Sequence, residues 1–280
     1  MNVRVMATIV IGVFALTACG GGGASSPAPR TATAEQSGKV TLAIPAATPA
    51  SALRSPKYIS PSALSIAIAV SGAATVVADI SVTSPDCTTT QNGRSCTIPL
   101  VAPAGHDTFT FTQYAAANAT GAVLGTGTVA LTVVAGTPFV LAATLNGTVG
   151  SVALALGTIP PIGTPGSTTL TVTAEDAAGN VIIGPGNYSS PITLTVTDST
   201  AQTTLSSSTV TGPSSTPITV NYAGGAGTNA TITASTPGAA PASVAFAPTG
   251  CTPGVLSNGD FSNGLTCWTQ YTISPGGFSG

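Results

Sequence analysis

The chain has 280 residues, with six Lys or Arg, eight Asp or Glu, a formal net charge of −2 and no basic residue after Arg94. Nucleic-acid binding needs clustered cations to displace counterions from phosphates, so this distribution makes nucleic acid an unsuitable partner and argues against phosphate-binding chemistry. A hydrophobic fraction of 43%, rich in Val and Ala, with no long 3.6-residue apolar stripe after residue 19, points to all-β structure. Its surface is expected to be hydrated by Thr, Ser and Asn.

The chain opens with Arg4, an uncharged apolar run from Val5 to Leu16, and then Leu16-Thr17-Ala18-Cys19-Gly20. A cationic start, roughly a dozen apolar residues and a small-residue cleavage site form the pattern of a secretory signal peptide. Leu16-Thr17-Ala18-Cys19 resembles the lipobox of bacterial lipoproteins. The resemblance implies cleavage before Cys19, acylation of its sulfur and new amino terminus, and attachment to a bacterial membrane facing the periplasm or the cell exterior. Gly20 after the Cys implies sorting to the outer membrane if the cell is Gram-negative. Acyl chains contribute about 0.8 kcal/mol per buried methylene, so two or three of them anchor firmly.

Residues 19–57 read as a flexible Gly/Ala/Pro/Ser linker, with Gly20 to Gly23 followed by Pro27, Pro29, Pro45, Pro49 and Pro56. Within it, only Val40-Thr41-Leu42-Ala43-Ile44 could form a short strand, which Pro45 ends. From residue 58 the pattern becomes short alternating segments: Leu64 to Val70, Val76 to Val82, the Phe109/Phe111 run, Val129 to Val133 and Phe139 to Leu145, with Val152, Leu154 and Leu156 closing the set. A period of two marks half-buried strands, and about seven of them in about a hundred residues suit one β-sandwich over 58–158. Pro160, Pro161 and Pro165 break the pattern and read as the joint between two domains.

A second set of strands spans 159–248. Leu170-Thr-Val-Thr-Ala-Glu-Asp-Ala-Ala-Gly-Asn-Val181 followed by Pro191-Ile-Thr-Leu-Thr-Val196 resembles the bacterial immunoglobulin-like repeats of surface and secreted proteins. From Cys251 the character changes again. Val255-Leu256-Ser257-Asn258-Gly259-Asp260-Phe261, with Trp268 soon after, resembles the opening strand of the galactose-binding-like jelly rolls. Such a fold needs eight strands, so residues 249–280 read as the start of a truncated domain. The fold class is therefore all-β, with two immunoglobulin-like β-sandwiches in tandem after a signal peptide (1–18) and disordered linker, plus an incomplete C-terminal β segment.

Beyond Cys19 the cysteines are Cys87, Cys96, Cys251 and Cys267, an even number in an exported chain, which reads as disulfides. Sequence proximity favours Cys87 with Cys96 and Cys251 with Cys267. The rival, a zinc site built from these cysteines and His106, has spacings unlike a zinc module. His106-Asp107 lacks any Gly-x-Ser-x-Gly elbow to supply a nucleophile, and His106 reads as a loop residue at the entry to the Phe109 strand. Glu175 and Asp176 beside Asn180 could offer oxygens to calcium, but a hairpin in which Asp176 starts the turn and Gly179 takes the left-handed position explains them more simply. Trp268 and Tyr271 are the candidate ligand-contacting residues, because aromatic faces stack on sugar rings; the alternative for Trp268 is packing in the core of the incomplete jelly roll.

No catalytic residue, metal site or cofactor is expected. The expected function is non-enzymatic: a lipid-anchored bacterial cell-surface protein whose sandwiches form a stalk presenting a ligand- or carbohydrate-binding module. Its expected partners are the membrane, through the N-terminal lipid, and a carbohydrate or cell-envelope ligand. The alternative is the accessory N-terminal region of an exported hydrolase whose catalytic domain lies beyond residue 280. A third reading is an adhesin or envelope scaffold.

Overall fold

The computed structural model describes residues 34–46, 59–91, 93–184, 186–213, 217–225 and 228–250. Among them there is no helix, and the strands assemble into four sheets that enclose two separate apolar cores. The chain is all-β, as its alternating patterns imply.

The first core lies between two sheets. One sheet has the order β4-β5-β1-β8, built from β1 (Glu35–Pro45), β4 (Cys87–Thr90), β5 (Gly93–Pro103) and β8 (Phe139–Leu141). The other has the order β3-β2-β6-β7-β9, built from β2 (Ser65–Val70), β3 (Val76–Asp79), β6 (Gly105–Tyr114), β7 (Val123–Val133) and β9 (Asn146–Gly147). Alternation sends Ile66, Ile68, Phe109 and Phe111 inward from the second sheet to meet Leu42, Ile44, Ile98 and Leu100 from the first. Phe109 and Phe139 pack with ring centroids 5.6 Å apart, a separation at which tilted rings attract.

β1 corrects the linker expectation. Residues 35–45 are not loose chain but a central strand, paired antiparallel with β5 from Glu35↔Pro103 to Pro45↔Gly93 and parallel with β8 through Gly38↔Phe139. Val40, Leu42 and Ile44 point into the core while Lys39, Thr41 and Ala43 face solvent. Proline is tolerated at a strand end, where it interrupts no ladder, so Pro45 terminates β1 without preventing it. The strand expected across Val76 to Val82 is shorter than its apolar pattern: it stops at Asp79, and Val82 is exposed.

The second core lies between a sheet of order β10-β11-β15-β13 and one of order β14-β12-β16-β17. The strands are β10 (Ser151–Leu156), β11 (Gly166–Glu175), β12 (Ile192–Asp198), β13 (Thr203–Leu205), β14 (Thr209–Val210), β15 (Ile218–Tyr222), β16 (Ala230–Ser235) and β17 (Ala242–Phe246). Ile192, Leu194, Ile218, Val220, Ile232 and Phe246 fill the interior, where Phe246 meets Tyr222 edge to face. Outward positions carry hydroxyls: Thr195 lies opposite Thr233, and Thr197 opposite Thr231. Cross-strand Thr pairs supply modest stabilisation and keep an uncharged face wet.

β10 moves the expected domain boundary. It pairs with β11 in the register Ser151↔Glu175 to Leu156↔Leu170, so Val152, Leu154 and Leu156 belong to the second sandwich, not the first. The proline-rich stretch around Pro160 and Pro161 is consequently the connection within the β10–β11 hairpin and not the interdomain joint. The first core ends at Leu145 and the second begins at Val149.

Candidate functional site

One buried polar cluster in the first sandwich surrounds Arg94. Cys87 on β4 faces Cys96 on β5 and forms a disulfide with it, with Cα atoms 4.0 Å apart, as sequence proximity implied. Closing so short a loop contributes about 2 to 3 kcal/mol in the chain-entropy picture. Two residues before Cys96, the buried Arg94 points to the same inner side of β5. Its Nε donates to the carbonyl of Ile80 at 2.6 Å, Nη2 to that of Ala63 at 2.7 Å and Nη1 to that of Pro61 at 3.3 Å. Burial pulls its pKa down, and the negative charge of Asp79 opposes that shift. The guanidinium is thus spent on three backbone acceptors. In the sequence Arg94 stands out as the last basic residue and as a member of the Cys87–Cys96 loop, but neither feature signals its three carbonyl partners.

His106 and Asp107 do not cooperate. His106 is an exposed strand residue on β6, not a loop residue, and its Nε2 lies 3.4 Å from Thr132 Oγ1. Asp107, next along the strand, turns to the opposite face, where it is buried and accepts from Ser71 Oγ at 3.1 Å. Neighbouring residues on a strand point to opposite faces, so an Asp–His relay cannot form between them.

Asp176 starts the turn assigned to it. Its Oδ1 accepts from the backbone N–H of Ala178 at 2.9 Å and of Asn180 at 3.0 Å, while Gly179, at φ 78°, takes the left-handed position that only glycine adopts without strain. Glu175 accepts instead from Ser151 Oγ at 3.1 Å. The two acids therefore serve the β11 turn and the β10–β11 edge. Among the described residues no group of three or more His, Cys, Asp or Glu could hold a metal ion.

Asp198, at the end of β12, caps the next turn by the same logic. It accepts from the backbone N–H groups of Thr200 at 2.9 Å, Gln202 at 3.0 Å and Thr203 at 2.8 Å, and from the hydroxyl of Thr200 at 2.7 Å. Burial raises the pKa of this carboxyl, but the hydrogen bonds from Thr200 and Thr203 outweigh it and bring the pKa from 3.8 down to about 2. A folded-state pKa below the unfolded value contributes stability that is complete above about pH 4 and is lost as the pH falls through the folded value. Asp198→Ala is therefore expected to lower the melting temperature at pH 6, with the gap to the parent chain closing as the pH falls to 2. A gap that stays constant with pH would refute the capping role.

A shallow groove beside β12 and β13 is lined by Leu194, Val196, Thr203, Leu205, Ser206 and Ser208. Its groups are aliphatic carbons and hydroxyls, with neither an acid nor a base among them. Cys19, Cys251, Cys267, Trp268, Tyr271 and Asp260 lie outside the described residues.

Fold and side-chain commitments together define a disulfide-bonded tandem β-sandwich protein. No protein-family model matches the chain, and no curated protein does. Among solved structures it is similar to the β-glucuronidase of Parabacteroides merdae, with a TM-score of 0.27, 11% identity and coverage of 65% of this chain and 21% of that one. The same enzyme with glycerol in its active site gives a TM-score of 0.27, 10% identity and coverage of 65% and 20%. A glycosyl hydrolase family 2 member from Bacteroides cellulosilyticus DSM 14838 gives 0.27, 12% identity and coverage of 66% and 23%. The chain spans about a fifth of the length of these enzymes.

Proposed function

We propose that this chain is a lipid-anchored bacterial surface protein in which two immunoglobulin-like sandwiches act as a non-catalytic stalk for a ligand- or carbohydrate-binding segment. The observation that carries the reading is the Cys87–Cys96 disulfide inside a sandwich. Disulfides persist in oxidising compartments, the destination that the apolar run ending at Cys19 also implies. The polar groups of the described residues support the same reading. Arg94, Asp176 and Asp198 serve backbone hydrogen bonds, and His106 stands apart from Asp107. The Thr-rich outer faces suit a spacer that stays hydrated without charge.

The test is to express the full chain in a bacterium supplied with an alkyne-tagged palmitate and to follow both label and detergent-phase partitioning. Incorporation into the parent chain and its loss in Cys19→Ala are expected. A parent chain that takes up no label and remains in the aqueous phase would overturn the anchoring reading.

A further inference from the structure

We infer that residues 146–148 form a fixed elbow, so that the two sandwiches move as one rigid body instead of swinging on a hinge. Only these three residues separate Leu145 of the first core from Val149 of the second. A free tether of that length would let the sandwiches reorient, but this one is bonded along its whole length. On one side, Asn146 and Gly147 pair with Thr126 and Gly125 of β7, and the Thr148 N–H donates to Leu124 O at 3.1 Å. On the other side, Gly147 forms a parallel bridge with Tyr188, its carbonyl accepting from Ser189 N–H at 2.9 Å, and Asn146 Oδ1 accepts from Asn187 N–H at 3.1 Å. β9 is thus laddered to β7 of the first sandwich and joined by a single bridge and two hydrogen bonds to the Asn187–Ser189 segment of the second.

A second attachment lies off this covalent path. Asn180 Nδ2, placed by the Asp176 turn of the second sandwich, donates to Ser62 Oγ at 3.0 Å and Ser60 Oγ at 3.3 Å in the first. Two separated attachments remove rotation about either one. The close approach requires Gly147 itself, because a Cβ there would lie 2.5 Å from Ile182 Cγ2, well inside contact distance. The elbow holds whether or not Cys19 carries lipid.

Residual dipolar couplings of the weakly aligned full chain test it. One alignment tensor is expected to fit the backbone amides of both sandwiches, and different tensor magnitudes for the two halves would overturn the elbow. In Gly147→Val the magnitudes are expected to diverge by about twofold or more while each half still fits its own sandwich, as hinged domains average their alignment. If that variant does not fold, Ser60→Ala with Ser62→Ala removes the second attachment and leaves the Asp176 turn intact. Divergence is again expected, and an unchanged single tensor would overturn the two-point lock.

Discussion

Arg94→Ala is expected to cost the first sandwich about 3 to 5 kcal/mol, because it strips hydrogen bonds from three backbone carbonyls around a buried side chain. Arg94 is 8% exposed, and its guanidinium holds the carbonyls of Ile80, Ala63 and Pro61 at 2.6, 2.7 and 3.3 Å. These acceptors come from the loop before β2 and from the residue after β3, so one side chain ties two chain segments to β5. The Cys87–Cys96 disulfide keeps the β4–β5 hairpin closed in the variant, which isolates the effect of the guanidinium from that of the hairpin. Arg94→Lys is expected to recover less than half of the loss, since an ammonium on a flexible stem cannot reproduce a rigid three-way fork. Urea unfolding of the oxidised chain measures both, and a loss below about 1 kcal/mol for Arg94→Ala would refute this account.

Leu42→Ala is expected to destabilise the chain by about 3 kcal/mol, within the range for emptying a buried leucine site. Leu42 is 1% exposed on β1, directly opposite Cys96 of β5 and between the inward-pointing Val40 and Ile44. A leucine in an unstructured tether would change stability by only a few tenths of a kcal/mol. Thr41→Ala, on the solvent face of the same strand, serves as the control and is expected to stay within about 0.5 kcal/mol. Equal small effects from both substitutions in thermal or urea unfolding would return residues 35–45 to the linker.

Several features could be read in advance because their cause is local. Ile66 with Ile68, Phe109 with Phe111 and Ile192 with Leu194 alternate with polar or small neighbours, and a period of two reports burial of one strand face whatever the partner strand is. The Asp176–Gly179 turn needs only a side-chain acceptor and a left-handed glycine a few residues apart. Cys87 and Cys96 are close enough in sequence for a hairpin to join them. Other features depend on partners far away in the chain. Val40, Leu42 and Ile44 carry the strand period, but Pro45 and the prolines around it obscured a ladder whose partner strand runs from Gly93 to Pro103. Val152, Leu154 and Leu156 alternate equally well for either sandwich. Their pairing with β11 places them in the second.

The all-β class, the approximate count of two sandwiches, the Asp176 turn and the favoured Cys87–Cys96 pairing are legible in the residues alone. Each follows from side-chain alternation, turn chemistry or short separation, and these act between residues near each other in the chain. Four features emerge only on folding: β1 is a core strand, β10 opens the second sandwich, Arg94 clamps Ile80 and Ala63, and Gly147 bridges from the β7 ladder to Tyr188. Backbone N–H and C=O groups are alike at nearly every position, so which distant strand or carbonyl a residue meets is set by how the sheets stack and not by the residues beside it.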